Sequence, residues 1–597
     1  MISLFGNWAS PLKKFPLSLV LSVLLPTLGI NNSVIAAERI HASYSALDFA
    51  ISVNSLENYA KTGVIDKELA TYQQYLSPTQ LAELKRILRT PVKVSPVVVA
   101  QFLHTPQGEF LLRRLAQVIQ DKPSQPQPKF DALRSALISA SAEPEGLTLL
   151  NLLRKYPTRI LDIDLAHSLG IAAELEKLVH ETSQAIATVT KKSDIEATIT
   201  QAATKFAKLP DLRRPGKFKL QTKTLKLFDA TRGRLLLTDI YLPNLKSPAP
   251  VIVISHGLGT DSSNFQYLAT HLASHGFAVA VPTHPGSNTQ QLRSLLNKQA
   301  GEAAQPNEFR DRPLDVKYIL DQLEKNNQSG SQFKGRLNLQ QVGVFGQSLG
   351  GYTALALAGA KINFEQLQQD CQPQALQSTW NMSLLLQCRA LTLDNNNPGQ
   401  EDNLQDSRVK AAIAVNPITS SIFGKAGLSQ VRIPVMVVGS SDDTVAPALY
   451  EQILPFSWLA NSHKYLVMLV GATHFSAIGN GNIANQPTGL HSQVIGDHPA
   501  QARQYINALS LPFFQTHVVN ATQYTPYLNA TYAKAISTQP LSLSLVKSLS
   551  INELIQALNA DLKAGKATNK ASSNSIVNFG FWMLDIGVAL LHVMIFL

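Results

Sequence analysis

A chain of 597 residues with 45% hydrophobic and 16% charged content is long enough for two packed domains and lies far from a disordered composition. Its net charge of +11 comes from scattered lysines and arginines with no run of five or more, so nucleic acid finds no concentrated phosphate-binding stripe and is set aside as a partner. A basic chain is still attracted to anionic lipid, which leaves association with a membrane surface open.

The N-terminus reads as a leader. Lys13 and Lys14 precede an apolar run from Phe15 to Ile30 and the small residues of Val34-Ile35-Ala36-Ala37, which predicts a signal peptide over 1–37 and an exported protein, periplasmic or extracellular. An uncleaved anchor is the alternative, but the run is shorter than the ~20 residues of a spanning helix and is interrupted by Pro16 and Pro26. Helical signals follow. Ser77-Pro78-Thr79-Gln80 is a helix start with Leu81, Leu84 and Leu88 on one face, and Leu111, Leu115 and Val118, then Leu147, Leu150 and Leu153, mark further helices. The expectation is an all-α domain over 38–180 that packs or docks and carries no chemistry. Residues 181–215, rich in Ala, Thr and Lys and ending Leu209-Pro210-Asp211-Leu212-Arg213-Arg214-Pro215, read as a linker.

Beyond Pro215 the pattern changes. Lys219 to Phe228 and Arg234 to Tyr241 alternate apolar and polar residues about Arg232-Gly233, an antiparallel hairpin. Short continuous apolar runs come next: Val251 to Ser255, Ala278 to Pro282, Val342 to Phe345, Ala411 to Val415, Val435 to Val438 and Tyr465 to Val470. Such runs suit parallel strands buried on both faces, and the helical stretches Asn264 to His275 and Arg312 to Glu324 lie between them. The prediction is an α/β domain over 216–518 with a mostly parallel, doubly wound sheet. Residues 358–408 are too many for a simple crossover and read as a cap over the active site. They hold the two cysteines, Cys371 and Cys388, whose pairing is favoured in an oxidising compartment and closes a loop at a gain of ~3 kcal/mol. A C-terminal extension over 519–575 leads to an apolar segment, 576–597, long enough to span a membrane. Asp585 within it opposes insertion by ~2.5–3.5 kcal/mol, so anchor and buried helix both stay open.

The chemistry centres on Gly346-Gln347-Ser348-Leu349-Gly350-Gly351, between the run Val342 to Phe345 and the helical stretch from Tyr352 to Leu357. A serine at a tight strand-to-helix turn needs small neighbours two residues away on either side, because the backbone there is compressed. Its hydroxyl is a weak nucleophile and requires a base, with a carboxylate to fix the base's tautomer. The loop Gly439-Ser440-Ser441-Asp442-Asp443-Thr444 after the run Val435 to Val438 offers two acids; Asp443 is preferred for its interval from Pro447, with Asp442 the alternative. Gly471-Ala472-Thr473-His474 after the last run supplies the base, His474, while His271, His275, His284 and His463 lack that placement. Ser255-His256-Gly257-Leu258-Gly259 follows its strand as an oxyanion loop does, so the amides of Leu258 and Leu349 are the expected donors and His256 shapes the loop. No residue pattern calls for a metal or other cofactor.

Ile254-Ser255-His256-Gly257-Leu258-Gly259, followed by His271-Leu272-Ala273-Ser274-His275-Gly276-Phe277-Ala278-Val279-Ala280, resembles the plasma-type platelet-activating-factor acetylhydrolases and related dienelactone-hydrolase-like serine esterases of the α/β-hydrolase superfamily. The likeness runs from Val251 to His474, and the region ahead of it, with Tyr44, Leu56 and Ala60, resembles the helical region that precedes such hydrolases in cyanobacteria. The resemblance implies a metal-free ester hydrolase acting on short or oxidised sn-2 acyl groups of phospholipids, a role in lipid degradation. The acid loop departs from the family by one residue, and the segment from Cys371 to Cys388 would reshape the acyl pocket. Hydrolysis of an amide, thioester or lactone, and a noncatalytic binding module of the envelope, are the competing readings.

Overall fold

The computed structural model describes residues 36–568 apart from 45–46, 74–76, 92–95, 97–98, 101–102, 104–105, 120–128, 201–209, 298, 330–331, 397–402 and 482–497. The expected leader, but for Ala36 and Ala37, and the apolar segment 576–597 lie outside these residues. Ala37 is buried with Val53, Leu56 and Ala60.

The N-terminal region is not all-α. Strands β1 (Arg39–Tyr44), β2 (Leu47–Ser52) and β3 (Ile160–Asp164) form a sheet of order β2-β1-β3, β1 running antiparallel to β2 and parallel to β3. Ile40, Ala42 and Tyr44, then Leu47, Phe49 and Ile51, recur every second residue, but over runs of six this signal is outweighed by the longer helical pattern around it. The expected helices are present, among them Pro78–Arg89, Pro106–Ala116 and Leu149–Lys155. Leu111, Leu112, Leu137 and Leu150 from these and the helix Lys129–Ser141 share one apolar cluster.

A second correction concerns 181–215. Leu165–Thr200 is a single 36-residue helix, so the first twenty residues of the expected linker are helical. Ala187, Lys191 and Thr198 lie on the solvent face of this helix, while its inner side chains Ala185, Ile186 and Val189 join the same cluster as Leu349 and Tyr352.

Among the described residues the main sheet has nine strands: β4 (Leu220–Asp229), β5 (Arg234–Pro243), β6 (Ala249–Ser255), β7 (Ala278–Thr283), β8 (Leu337–Gln347), β9 (Val409–Val415), β10 (Val435–Asp442), β11 (Lys464–Thr473) and β12 (Ser542–Val546). Their order is β12-β11-β10-β9-β8-β6-β7-β5-β4. The six from β6 to β11 pair in parallel, while β4, β5 and β12 are antiparallel additions. Ile252, Val253 and Ile254 have no exposed surface, as strands covered on both faces require. Strand β12 falls in the expected C-terminal extension; the sheet therefore runs past 518, through an alternating Ser-Leu-Ser-Leu-Val too short to stand out.

The segment after Leu357 holds short helices, including Phe364–Asp370, Pro373–Ser378 and Met382–Gln387, before the chain returns at β9. Cys371 and Cys388 are disulfide-bonded across it. Buried Glu451, on the helical turn Leu449–Ile453 after β10, ties it to the loop after β9: its carboxylate accepts from the side chains of Asn381 and Gln387 and from the amides of Thr419 and Ser420. The insertion is docked through satisfied buried polar groups.

Candidate active site

Ser348 sits where β8 ends and the helix Leu349–Leu357 begins, with φ 55° and ψ −121°. A non-glycine residue pays for such a backbone only where its surroundings hold it, and they do. A Cβ on Gly346 would lie 1.8 Å from the carbonyl oxygen of Gly350, and one on Gly350 would lie 2.0 Å from that of Ser255. Both small neighbours are therefore steric requirements of the turn, and the Ser348 amide is tied to Val415 O at 2.9 Å.

The acid loop resolves into two different carboxylates. Asp443 is buried; its Oδ2 lies 2.7 Å from His474 Nδ1, and its Oδ1 accepts the amides of Val445 at 2.9 Å and Ala446 at 2.7 Å. Asp442 is exposed and accepts only from Ser441 Oγ, at 2.6 Å, among the hydrogen bonds described. The structure brings Asp443, and not Asp442, to His474. The backbone of His474 is fastened in turn: its carbonyl accepts from Gln347 Nε2 and from Asn416 Nδ2, each at 3.1 Å. Gln347 is the residue before Ser348, so one side chain links the serine turn to the histidine loop.

The loop after β6 lies against the same turn. Ser255 pairs with Gly346 across β6 and β8, and a Cβ on Gly257 would come within 2.3 Å of Gln347 Oε1. Leu258 and Leu349 thus stand on adjoining segments at the C-terminal ends of neighbouring strands. His256, His284 and Arg312 beneath the loop have no exposed surface. Burial, and then the charge of Arg312, holds both imidazoles well below the usual histidine range, so they are neutral at pH 7. His271 is likewise pushed down by burial, to about 3, and its ring lies tilted against that of His275; His463 lies near His517.

Two residues of the site were not singled out from sequence. Asn416, with φ 43°, bonds Ser440 Oγ at 3.0 Å as well as His474 O; an Asn-Pro pair at the end of a strand was the available signal. Arg312 was read only as a helix residue, and no local pattern marks an arginine that reaches across to another strand's loop.

A cavity of about 1010 Å³ adjoins the acid loop. Leu178, Val179, Ile186 and Ile195 of the helix Leu165–Thr200 form one wall, Trp380 and Met382 of the insertion another, and Ser441 to Thr444 its edge; Ser348 and His474 do not line it. Trp380 is held by Glu174 through its indole N–H at 3.1 Å and by Arg114, whose guanidinium lies 4.4 Å from the ring centre.

Comparison with known proteins agrees with this arrangement at a coarse level. A family model described as an alpha/beta hydrolase of unknown function matches residues 36–164, and one described as serine aminopeptidase, S33, matches 246–370. Cutinase 2 of Thermobifida cellulosilytica is 24% identical over 290 residues, 48% of this chain and 76% of that protein. Cutinase cut1 of Thermobifida fusca is 24% identical over 290 residues, again 48% of this chain, and the match spans 62% of its length. Taken with the parallel sheet and the strand–serine–helix turn, these likenesses support membership of the α/β-hydrolase superfamily.

Proposed function

We propose that the protein is a serine carboxylic-ester hydrolase that works through an acyl-enzyme, with Ser348 as nucleophile, His474 as base, Asp443 as the acid that orients it, and the Leu258 and Leu349 amides as oxyanion donors. The observation that carries this reading is the buried 2.7 Å contact between Asp443 and His474 on loops that also hold the serine turn. In the cycle, His474 Nε2 takes the Ser348 proton as Oγ attacks the ester carbon, then gives it to the leaving alcohol; water repeats the sequence on the acyl-enzyme. Asp443 keeps the Nδ1 proton in place and stabilises the imidazolium. No step requires a cofactor.

The cutinase relatives favour an ester, and the apolar cavity beside the acid loop favours a substrate with an apolar arm, a short acyl chain or a phospholipid sn-2 group. Export and action at a lipid surface belong to the same reading, supported by the leader-like first 37 residues and the net charge of +11. Cleavage of an amide is the second reading, favoured by the serine-aminopeptidase match over 246–370.

The test is turnover of p-nitrophenyl esters of increasing acyl length, alongside p-nitroanilides, by wild type and Ser348→Ala. Esters cleaved by wild type alone support the reading. Anilides cleaved faster than esters favour the second, and turnover that survives in Ser348→Ala removes both.

A further inference from the structure

Resting on the serine-hydrolase reading, we propose that Arg312 is a positioning residue that aims the Leu258 amide at the oxyanion by clamping the carbonyls before it. Arg312 projects from the helix Glu308–Gln328 and is fully buried. Its Nη1 donates to His256 O, its Nη2 to Gly257 O at 3.4 Å and its Nε to Ser287 Oγ at 2.8 Å. Glu308 Oε2, 3.6 Å from Nε, supplies a nearby counter-charge and itself accepts from Ser287. Burial lowers the guanidinium to about 10, which leaves it charged at neutral pH.

Gly257 O has two further donors. Thr260 Oγ1 lies 3.0 Å away and His256 Nδ1 2.7 Å. The tautomer of His256 follows from its other side: Nε2 accepts the His284 amide at 3.0 Å, so the ring proton is on Nδ1 and is donated to Gly257 O. His284 is fixed in turn by Asp315 at 2.9 Å and Ser255 Oγ at 3.0 Å.

In a trans peptide the C=O of Gly257 and the N–H of Leu258 lie in one plane and point in opposite directions. Three donors that hold the carbonyl into the protein therefore hold the amide facing the opposite way, and Gly257 itself abuts Gln347 beside the serine. A cationic donor on the carbonyl also polarises the peptide unit and strengthens its N–H as a donor. The arrangement meets the requirement of an oxyanion site, a dipole fixed before the reaction rather than recruited during it.

The experiment compares wild type, Arg312→Gln, Arg312→Lys and Thr260→Val for kcat and KM on p-nitrophenyl butyrate and for inhibition by an aryl trifluoromethyl ketone. The ketone adds to the serine and leaves an oxyanion in the same hole. Circular dichroism and Tm report the folded fraction. Arg312→Gln is expected to lower kcat about 10–100-fold at near-constant KM and to weaken the ketone by the same factor. Arg312→Lys restores part of both, and Thr260→Val loses about 3-fold in both. Normal kcat per folded molecule, a loss confined to KM, or a loss of kcat with ketone affinity intact overturns the clamp. Should both Arg312 variants fail to fold, Thr260→Val decides, since wild-type values in both readouts overturn it. A wild type inert toward every ester removes the hydrolase reading and the clamp with it, whereas an active wild type with unaffected variants removes the clamp alone.

Discussion

Replacing Asp443 by Asn separates a triad acid from a merely structural carboxylate, because the two oxygens of Asp443 face different partners. Oδ1 accepts two backbone amides, from Val445 and Ala446, while Oδ2 faces His474 Nδ1. In Asp443→Asn the carboxamide oxygen must occupy the Oδ1 position, since an NH2 group there would confront two N–H donors at 2.7–2.9 Å. The NH2 group then points at His474 and donates to Nδ1, which moves the imidazole proton to Nε2. A ring protonated on Nε2 cannot accept from Ser348. The wrong tautomer is expected to lower kcat about 10⁴-fold, near 5 kcal/mol of barrier, with little change in fold. Asp442→Asn, at an exposed carboxylate, is expected to stay within about 2-fold of wild type. The assay is steady-state hydrolysis of p-nitrophenyl butyrate, with ¹⁵N chemical shifts of the His474 ring as direct report on the tautomer. An Asp443→Asn enzyme retaining more than about a hundredth of kcat, or a large loss in Asp442→Asn, would refute the reasoning.

Four further outcomes are expected. Gly350→Ala places a methyl 2.0 Å from Ser255 O, so it should cost about 1–3 kcal/mol in denaturant unfolding and abolish hydrolysis; an active variant of normal stability contradicts the compressed turn. Cys371→Ser with Cys388→Ser should lower stability by about 3 kcal/mol on the loop-entropy argument, read from urea midpoints, and an unchanged midpoint contradicts it. His271 binds a proton near pH 6.5 when unfolded but resists it down to about 3 when folded, so its contribution to stability is complete above 6.5 and declines as pH falls below that value. The decline is at most about 1.4 kcal/mol per pH unit, and the stability of His271→Gln should fall less steeply than that of wild type between pH 6.5 and 5. Val179→Asp with Ile195→Asp alters two exposed cavity-wall residues, 63% and 52% accessible. It should leave Tm unchanged and lower kcat/KM for long-chain esters more than for acetates; equal effects on both would separate the cavity from substrate binding.

What the sequence made legible follows from how local each signal is. The runs from Val251 to Val470 are buried on both faces, so their continuous apolar character identifies them without neighbours, and each is a strand of the sheet. The turn around Ser348 is legible for the same reason, since the glycines that permit it lie within two residues. Asp442 and Asp443 could not be separated so firmly. Their difference is which carboxylate points inward after β10, set by the pairing of Asp442 with Thr473 across β10 and β11. Arg312 and Asn416 act on loops distant in sequence; Arg312 leaves no local pattern, and Asn416 only an Asn-Pro pair after its strand. Strands β1, β2 and β12 were missed because they are short and alternate instead of running continuously apolar, and β3 reaches β1 only across more than a hundred residues of intervening chain.

The misread linker changes what the N-terminal region is for. A flexible connector over 181–215 would let a docking module move independently of the hydrolase. Instead, one helix leaves the N-terminal region at Leu165 and continues to Thr200, its inner residues Ala185, Ile186 and Val189 sharing a core with Leu349 beside Ser348. Its C-terminal part is bonded to the edge strand β12 and to the helices Ala530–Ile536 and Ile551–Thr568 on either side of it in sequence. Ser193 Oγ accepts the Leu545 amide at 3.0 Å, Ala197 O accepts Thr531 Oγ1 at 3.2 Å, and Lys192 pairs with Glu553 at 2.6 Å. Glu181 accepts from Tyr450 behind the acid loop at 3.1 Å. Because the same helix forms the wall of the cavity at Ser441 to Thr444, residues that precede the sheet in sequence help shape the surface beside Asp443. The two family models divide the chain at 164 and 246, yet the helix between them belongs to the core of the second part as much as to the first. The N-terminal region is therefore a structural part of the candidate site, and a hydrolase domain cut at 216 would lack one wall of its cavity and part of the core beneath its serine turn.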